Sequence, residues 1–139
     1  MTQEYHQVHP QDVQNNLDLF AILIDKALTK NDHAEYSVRG CCEKIINNEW
    51  QLFVILKDGE LEYIIVTLVA PHELCCDLIP VIISKVNNKK VDLNYMHKCL
   101  EEIAVKFKCN RIVGGGRKGW KKVFNKFGYK DLNLVVKEL

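Results

Sequence analysis

The chain of 139 residues contains no long hydrophobic run and only three prolines. No stretch reaches the roughly 18 apolar residues that a membrane-spanning helix needs. The first residues lack the basic-then-apolar order of a signal peptide, and no low-complexity tract or repeat of solenoid period is present. We therefore expect a single cytoplasmic domain over residues 1–139 with no membrane partner. Residues 1–9 are expected to be a flexible or extended N-terminal segment.

The six cysteines form no Cys-x-x-Cys pair and no other standard metal-ligand spacing. They occur as two adjacent pairs and two single residues: Cys41–Cys42, Cys75–Cys76, Cys99 and Cys109. His72 with Cys75 and Cys76 comes nearest to a ligand set, but a second ligand pair at a standard spacing is missing. We expect no metal site, and we expect reduced, buried thiols that pack as small hydrophobic groups.

Acidic and basic residues are separated along the chain, although the net charge is only +1. Residues 1–83 contain five Lys and Arg against thirteen Asp and Glu, a net charge of −8, whereas residues 84–130 contain thirteen against three, a net charge of +10. This separation favours a basic 84–130 surface that binds a protein partner or forms a homo-oligomer, with nucleic acid as an alternative partner. The remaining alternative is a solvated helix face without a partner.

Two helices are predicted in the first third of the chain. Apolar residues recur at intervals of three and four over residues 10–30 and again over residues 37–50. Ser37 is placed to cap the second helix, because a serine hydroxyl accepts a hydrogen bond from the first turn.

Three antiparallel strands are predicted next. Residues 51–57, 60–69 and 74–86 are rich in β-branched and aromatic side chains, which favours strands. Asp58-Gly59 separates the first two and is typical of a tight hairpin turn. Pro80 lies within the third strand and predicts a bulge or an edge there, because proline cannot donate a hydrogen bond to a neighbouring strand.

A helix, a strand, a glycine break and a second helix are predicted in the last third. Asp92 is placed to cap a helix over residues 94–107, and residues 111–113 form a short apolar run after a connection that permits a parallel crossover. Three glycines and an amphipathic helix that stops at Gly128-Tyr129 follow, and residues 132–136 predict a last strand. The order of elements predicts an α/β fold with a mixed, mostly antiparallel sheet flanked by helices.

This order of elements and four short motifs resemble the GNAT superfamily of N-acetyltransferases, and in particular small GNAT-like proteins encoded by tailed phages. The motifs are Glu101-Glu-Ile-Ala-x-x-Phe-x-Cys109, Gly116-Arg-Lys-Gly-Trp120, Phe127-Gly-Tyr129 and the apolar strand from Val135 to Leu139. The resemblance implies a single GNAT-like domain. Topology alone does not imply activity, because one fold hosts many functions.

Active members of the superfamily hold the diphosphate of acetyl-CoA on a glycine-containing loop. The corresponding residues 84–94 contain no glycine here, although the backbone must approach phosphate closely and turn with positive φ. Asp92 at the predicted helix cap also places a carboxylate where the diphosphate would lie. Lys89, Lys90 and Asn94 are the candidate cofactor-binding residues in the alternative that acetyl-CoA binds.

The resemblance also implies a tyrosine that protonates the leaving thiolate, and this tyrosine has no equivalent here. Phe124 holds its position, four residues before Gly128, and phenylalanine has no proton to give. Tyr129 and Tyr95 are the remaining candidate donors, and Glu62 is the candidate general base. The alternative for Glu62 is a solvated carboxylate at a strand end.

The glycine triplet precedes a predicted helix and can bind an anion at the helix N-terminus. The alternative is a loose turn between a strand and a helix. Trp120 is expected to be a core or interface anchor, with base stacking as its alternative role. The candidate anion or partner surface comprises three glycines and four basic residues: Gly114, Gly115, Gly116, Arg117, Lys118, Lys121 and Lys122.

Together these features favour a phage-type GNAT-like protein without catalysis or cofactor, acting as a virion component or a protein-interaction module in the host cytoplasm or the virion. The first alternative is an N-acetyltransferase that uses acetyl-CoA through an atypical loop. The second alternative is a nucleic-acid-binding accessory protein.

Overall fold

A five-stranded mixed sheet forms the centre of the protein. The computed structural model describes residues 2–30, 35–114 and 124–130, together with residues 137 and 139. The strands are β1 (Gln3–Gln7), β2 (Gln51–Lys57), β3 (Glu60–Pro71), β4 (Cys76–Lys85) and β5 (Arg111–Ile112). They lie in the order β1-β2-β3-β4-β5, with antiparallel neighbours up to β4 and a parallel β4–β5 pair. The predicted mixed, mostly antiparallel sheet is confirmed.

Helices cover both faces of this sheet. They are α1 (Pro10–Asn15), α2 (Leu17–Leu28), α3 (Val38–Ile46) and α4 (Leu93–Lys106). Alternate side chains of β3 point to opposite faces. Ile64 and Val66 pack with α2 and α3, whereas Tyr63 and Ile65 pack with α4. Within the described residues no helix has the length and apolar character to cross a membrane.

The N-terminal part adds a strand pairing to the prediction and corrects one helix. Residues 3–7 form a strand paired with β2. An extended segment is one of the two forms predicted for residues 1–9. The predicted single helix over residues 10–30 is wrong, because the chain breaks at Asn16 with φ −121°. The Asn16 side-chain amide donates to the carbonyl of Asp12 at 2.9 Å, so a local side-chain bond competes with continuation of the helix.

Turns and caps follow the sequence closely. Asp58 and Gly59 both have positive φ, 51° and 82°, as the tight hairpin between β2 and β3 requires. The Ser37 hydroxyl accepts from the Gly40 amide at 3.0 Å, which confirms the predicted cap of α3. This helix ends at Ile46, four residues before the predicted Trp50, and Asn48 adopts φ 62° just beyond it.

Parts of the C-terminal prediction lie outside the described residues, namely the strand over residues 132–136 and the first turns of the helix around Trp120. The described residues 124–130 include a helical end. Phe124 is buried in the core under α4, and Gly128 has φ 89°, consistent with the predicted glycine stop.

The core of β3 gives a direct test of this packing. Ile64 is fully buried, whereas Ile22 on α2 is 67% exposed. We expect Ile64→Ala to lower the free energy of unfolding by about 2–5 kcal/mol, because it removes buried methyl groups and leaves a cavity. The matched Ile22→Ala change should stay within about 0.5 kcal/mol. Equal shifts of the two urea midpoints would contradict the assignment of faces.

Candidate functional site

The strands β4 and β5 separate after a very short pairing. Their paired residues are Asp77 with Arg111 and Leu78 with Ile112. Two further backbone hydrogen bonds flank these pairs. One runs from the Asn110 amide to the Cys76 carbonyl, and the other runs from the Val113 amide to the Leu78 carbonyl. Beyond Leu78, β4 continues to Lys85 without a neighbouring strand on this side in the described part of the chain. Among the described residues the edge of β4 beyond Leu78 is therefore unpaired on this side, and we call the space beside it the β4 cleft. Its closed end lies at the pairing with β5, and its open end lies at Lys85.

A bulge lies in β4 directly after the point of separation. Thr67 of β3 is opposite Pro80, but Val66 is opposite Ile82, so Val81 is an extra residue in β4. The bulge predicted from Pro80 is confirmed. A bulge bends its strand and increases its twist, which turns β4 at the closed end of the cleft.

A buried carboxylate on β4 stabilises the closed end of the cleft by binding an arginine of β5. Asp77 is 4% exposed and accepts two hydrogen bonds from Arg111, Nε to Oδ1 at 2.7 Å and Nη2 to Oδ2 at 2.9 Å. The His72 Nε2 atom lies 3.0 Å from Oδ2 of the same carboxylate. The hydrogen bonds from Arg111 hold the pKa of Asp77 below its usual value, against the opposing effect of burial. The sequence prediction does not include this cluster, in which Asp77 and Arg111 are 34 residues apart.

The candidate cofactor-binding residues lie together at the open end of the cleft. Lys89 and Lys90 are exposed in the connection between β4 and α4, and Asn94 is exposed in the first turn of α4. Lys85 donates to the Lys89 carbonyl at 3.3 Å. The amide of Lys89 is bonded to the Asn87 side chain at 2.9 Å, so an asparagine turn replaces a glycine turn here.

Asp92 occupies the N-terminus of α4. Its Oδ1 atom accepts from the Tyr95 amide at 3.2 Å, which confirms the predicted cap. A free helix N-terminus binds anions through its N–H groups and its dipole. Here the carboxylate takes up part of that capacity and adds a negative charge.

The candidate base lies at the same open end. The Glu62 carbonyl accepts from the Val86 amide at 3.0 Å, and the side-chain Oε1 is buried without a hydrogen-bond partner among the described residues. Val86 is eight residues beyond Leu78, roughly 26 Å along a strand. Glu62 is therefore distant from the closed end of the cleft.

The candidate acid Tyr129 belongs to a buried aromatic cluster beside β5. Its hydroxyl lies 3.3 Å from Nδ1 of His97, which stacks on Phe127 with ring centroids 4.0 Å apart. Burial raises the pKa of Tyr129 to about 12 and lowers the pKa of His97. Gly114 packs against the ring of Phe124 so closely that a Cβ atom would lie 2.8 Å from it. The glycine at this position is thus explained by packing.

The other candidate donor, Tyr95, lies in the first turn of α4. Burial raises its pKa, and the neighbouring Cys99 thiol raises it further. Most of the candidate anion surface lies outside the described residues: Gly115, Gly116, Arg117, Lys118, Lys121 and Lys122. Within the described residues no group of three or more His, Cys, Asp and Glu side chains is arranged to hold a metal ion.

The contribution of the closed end to the stability of the fold should depend on pH, because it depends on the charge of Asp77. Because its folded pKa is depressed, the pairing stabilises the fold above about pH 4, and this contribution is lost as pH falls through the folded pKa. We expect Arg111→Gln to lower the urea midpoint at pH 7 and to lower it less at pH 3. The control Arg39→Gln removes an arginine whose partner Glu43 is also exposed, and it should have little effect at either pH. An Arg111→Gln effect independent of pH would contradict the role given to Asp77.

Comparison with known proteins identifies the fold. No protein-family model and no curated protein sequence matches the chain. A predicted acetyltransferase from Clostridium acetobutylicum, crystallised with acetyl-CoA, matches with a TM-score of 0.72 and 12% identity over 99% of this chain and 96% of that one.

Two further solved structures are acetyltransferases whose names give two different acetyl acceptors. Ribosomal-protein-alanine N-acetyltransferase from Brucella melitensis biovar Abortus 2308 matches with a TM-score of 0.70 and 12% identity, over 98% of this chain and 99% of that one. Glucosamine-6-phosphate N-acetyltransferase from Arabidopsis thaliana matches with a TM-score of 0.65 and 10% identity, over 100% and 99%. At sequence identities this low, the match shows a shared fold and does not identify the substrate. The chain therefore has the fold of the GNAT acetyltransferases, a single α/β domain on a mostly antiparallel five-stranded sheet.

Proposed function

We propose that the protein binds acetyl-CoA in the β4 cleft and transfers the acetyl group to an amine, as an N-acetyltransferase with an atypical cofactor loop. The observation that carries this proposal is the open edge of β4 between the bulge at Pro80 and Lys85. The glycine-free loop favours a non-catalytic protein, as the sequence alone predicts. We give the open edge more weight, because it offers an acyl-CoA arm a binding place that does not depend on the loop.

The edge of β4 is suited to the pantetheine arm. Along an unpaired strand edge, alternate residues present backbone N–H and C=O groups that need hydrogen-bond partners. The pantetheine arm contains two amides, which can pair with such an edge as a neighbouring strand would. Acetyl-CoA would supply an activated thioester, and β4 would orient it along the cleft with the diphosphate at the open end.

The open end fits a diphosphate less well. Lys85, Lys89 and Lys90 provide positive charge there, but flexible lysines hold phosphate less rigidly than fixed backbone N–H groups do. The carboxylate of Asp92 opposes binding at the N-terminus of α4. We therefore expect an affinity limited by Asp92.

Neither of the two candidate groups for proton transfer, Tyr129 and Glu62, is free at the closed end of the cleft. Tyr129 is engaged with His97, and its raised pKa makes it a weak acid toward a thiolate. Glu62 lies near the open end of β4. Both residues stay as candidate catalytic groups. A slow reaction with an amine that reacts in its neutral form is the expected behaviour.

A non-catalytic interaction protein is the second candidate function. Two observations favour it: the Asp92 carboxylate on the helix that would face the diphosphate, and a buried Phe124 in place of a proton donor. In this proposal the protein is a phage-type virion component or interaction module. A nucleic-acid-binding accessory role through the basic 84–130 surface is a third proposal that depends on the charge separation alone.

Titration with acetyl-CoA by calorimetry separates the first two candidates. We expect wild-type protein to bind with a measurable Kd. Asp92→Asn should tighten binding about fivefold, roughly 1 kcal/mol, because asparagine keeps the helix cap while removing the charge. Lys89→Glu together with Lys90→Glu should weaken binding.

The control for the Asp92 variant is Glu43→Gln, which removes an exposed carboxylate from α3 on the opposite face of the sheet. It should leave the Kd unchanged. If neither wild type nor Asp92→Asn binds at millimolar acetyl-CoA, about −4 kcal/mol, the enzyme proposal fails and the interaction protein is favoured.

The partner proposal has its own test. If the basic surface pairs with the acidic half of a second copy, sedimentation should show an assembly that dissociates with added salt. Lys118→Glu together with Lys121→Glu should weaken it. A monomer at every salt concentration that also fails to retard DNA or RNA at low salt would leave the charge separation as a solvated surface.

A further inference from the structure

Two cysteines meet at the closed end of the β4 cleft. Cys76 is the first residue of β4, and Cys109 lies two residues before β5. Their Sγ atoms are 3.4 Å apart. Asn110 fixes this approach from both sides, since its amide donates to the Cys76 carbonyl at 3.0 Å and its side chain accepts from the Cys76 amide at 2.8 Å.

No other cysteine pair in the protein has this geometry. All six cysteines lie in the described residues, and none is in a disulfide. Cys41, Cys42 and Cys99 are buried in the cores, as predicted. Cys75 and Cys76 are only half-buried, which differs from the expectation of buried thiols, because both lie where the chain enters β4 from a surface turn. Of the four thiols outside the α2–α3 core, only those of Cys76 and Cys109 are in contact.

We propose that Cys76 and Cys109 are a redox modification site, which forms a reversible disulfide when the protein meets a hydroperoxide. The hydroperoxide oxidises the Cys76 thiolate to a sulfenic acid, and the O–O bond breaks to release an alcohol or water. The Cys109 sulfur then attacks the Cys76 sulfur, the S–O bond breaks, and water leaves with the Cys109 proton. Two thiols are oxidised and one peroxide is reduced.

Access and acidity assign the order of the two steps. Cys76 is half-buried and can be reached from solvent, whereas Cys109 is 9% exposed. Burial raises the pKa of Cys109 to about 11, with a further contribution from its contact with Cys76. The thiolate is the reacting form, so Cys109 is the slower group toward peroxide and acts as the resolving thiol. The two Sγ atoms are already in contact at 3.4 Å, and a disulfide would bring them to about 2.05 Å.

The bond would fasten the strand pair that defines the cleft. Only two residue pairs join β4 to β5, so the closed end has few hydrogen bonds of its own. A disulfide between Cys76 and Cys109 would fix the start of both strands whatever ligand the cleft takes. This inference is independent of acetyl-CoA binding.

The test is oxidation of the whole protein by hydrogen peroxide, followed by intact mass and peptide analysis. We expect a loss of about 2 Da that dithiothreitol reverses. Trypsin should yield a cross-link between residues 58–85 and residues 109–111, since cleavage follows Lys57, Lys85, Lys108 and Arg111. The oxidised protein should also unfold at a temperature about 5 °C or more higher than the reduced protein.

Residues 58–85 contain both Cys75 and Cys76, so the variants decide which one reacts. Cys75→Ser should retain the cross-link and the thermal shift, whereas Cys76→Ser and Cys109→Ser should lose both. A cross-link that persists in Cys76→Ser would overturn the proposal. So would oxidation of Cys76 to sulfinic acid with no cross-link in wild-type protein. Circular dichroism of the reduced variants controls for misfolding.

Discussion

The early separation of β5 from β4 is the constraint on which the rest of the cleft depends. Two residue pairs of the described chain hold the strands together, and the buried Asp77 carboxylate reinforces them by accepting two hydrogen bonds from Arg111. A buried carboxylate without partners would be costly, so Asp77 stabilises the fold only where β5 is in register. Within the part of the chain that the structure describes, the same short contact leaves the remainder of this edge of β4 unpaired. The register of β4 and β5 therefore produces both the short strand contact and the open edge.

The N-terminus of α4 shows a conflict between stability and ligand binding. Asp92 satisfies an amide of the first turn, which stabilises the helix that covers one face of the sheet. The same charge lowers the affinity of that helix end for phosphate. A glycine loop would leave the N–H groups free, at the cost of chain entropy and of the cap. The asparagine turn at Asn87 and the lysines beside it are the arrangement this chain uses instead.

The sequence predicts turns, helix caps and the bulge from single residues, but it does not predict which distant strands pair. Asp58-Gly59, Ser37, Asp92 and Pro80 each act through neighbours within a few residues, and each behaves as predicted. The strand β1 was only described as extended, because nothing in residues 3–7 reveals a partner some fifty positions away.

The candidate site was predictable to a similar extent. Lys89 and Lys90 lie in the connection between β4 and α4, and Asn94 follows in the first turn of α4, so all three are close in sequence. The sequence prediction does not include Asp77, Arg111 and His72. The contact between Asp77 and Arg111 requires the parallel register of β4 and β5, whereas His72 is only five residues from Asp77. Glu62 was placed on the correct strand, but its distance from the closed end follows from the direction of β3, which periodicity does not give.

The low identity to solved structures is consistent with a site built mainly from backbone. Structures that share 10–12% of residues with this chain match nearly its whole length. An open strand edge binds through N–H and C=O groups that every residue except proline provides, so such an edge survives extensive substitution. Side chains that protonate a leaving group or select an amine are not protected in this way. The sequence resemblance would place a proton donor at position 124 and a diphosphate beside position 92, and this chain has a buried phenylalanine ring and a capping carboxylate there.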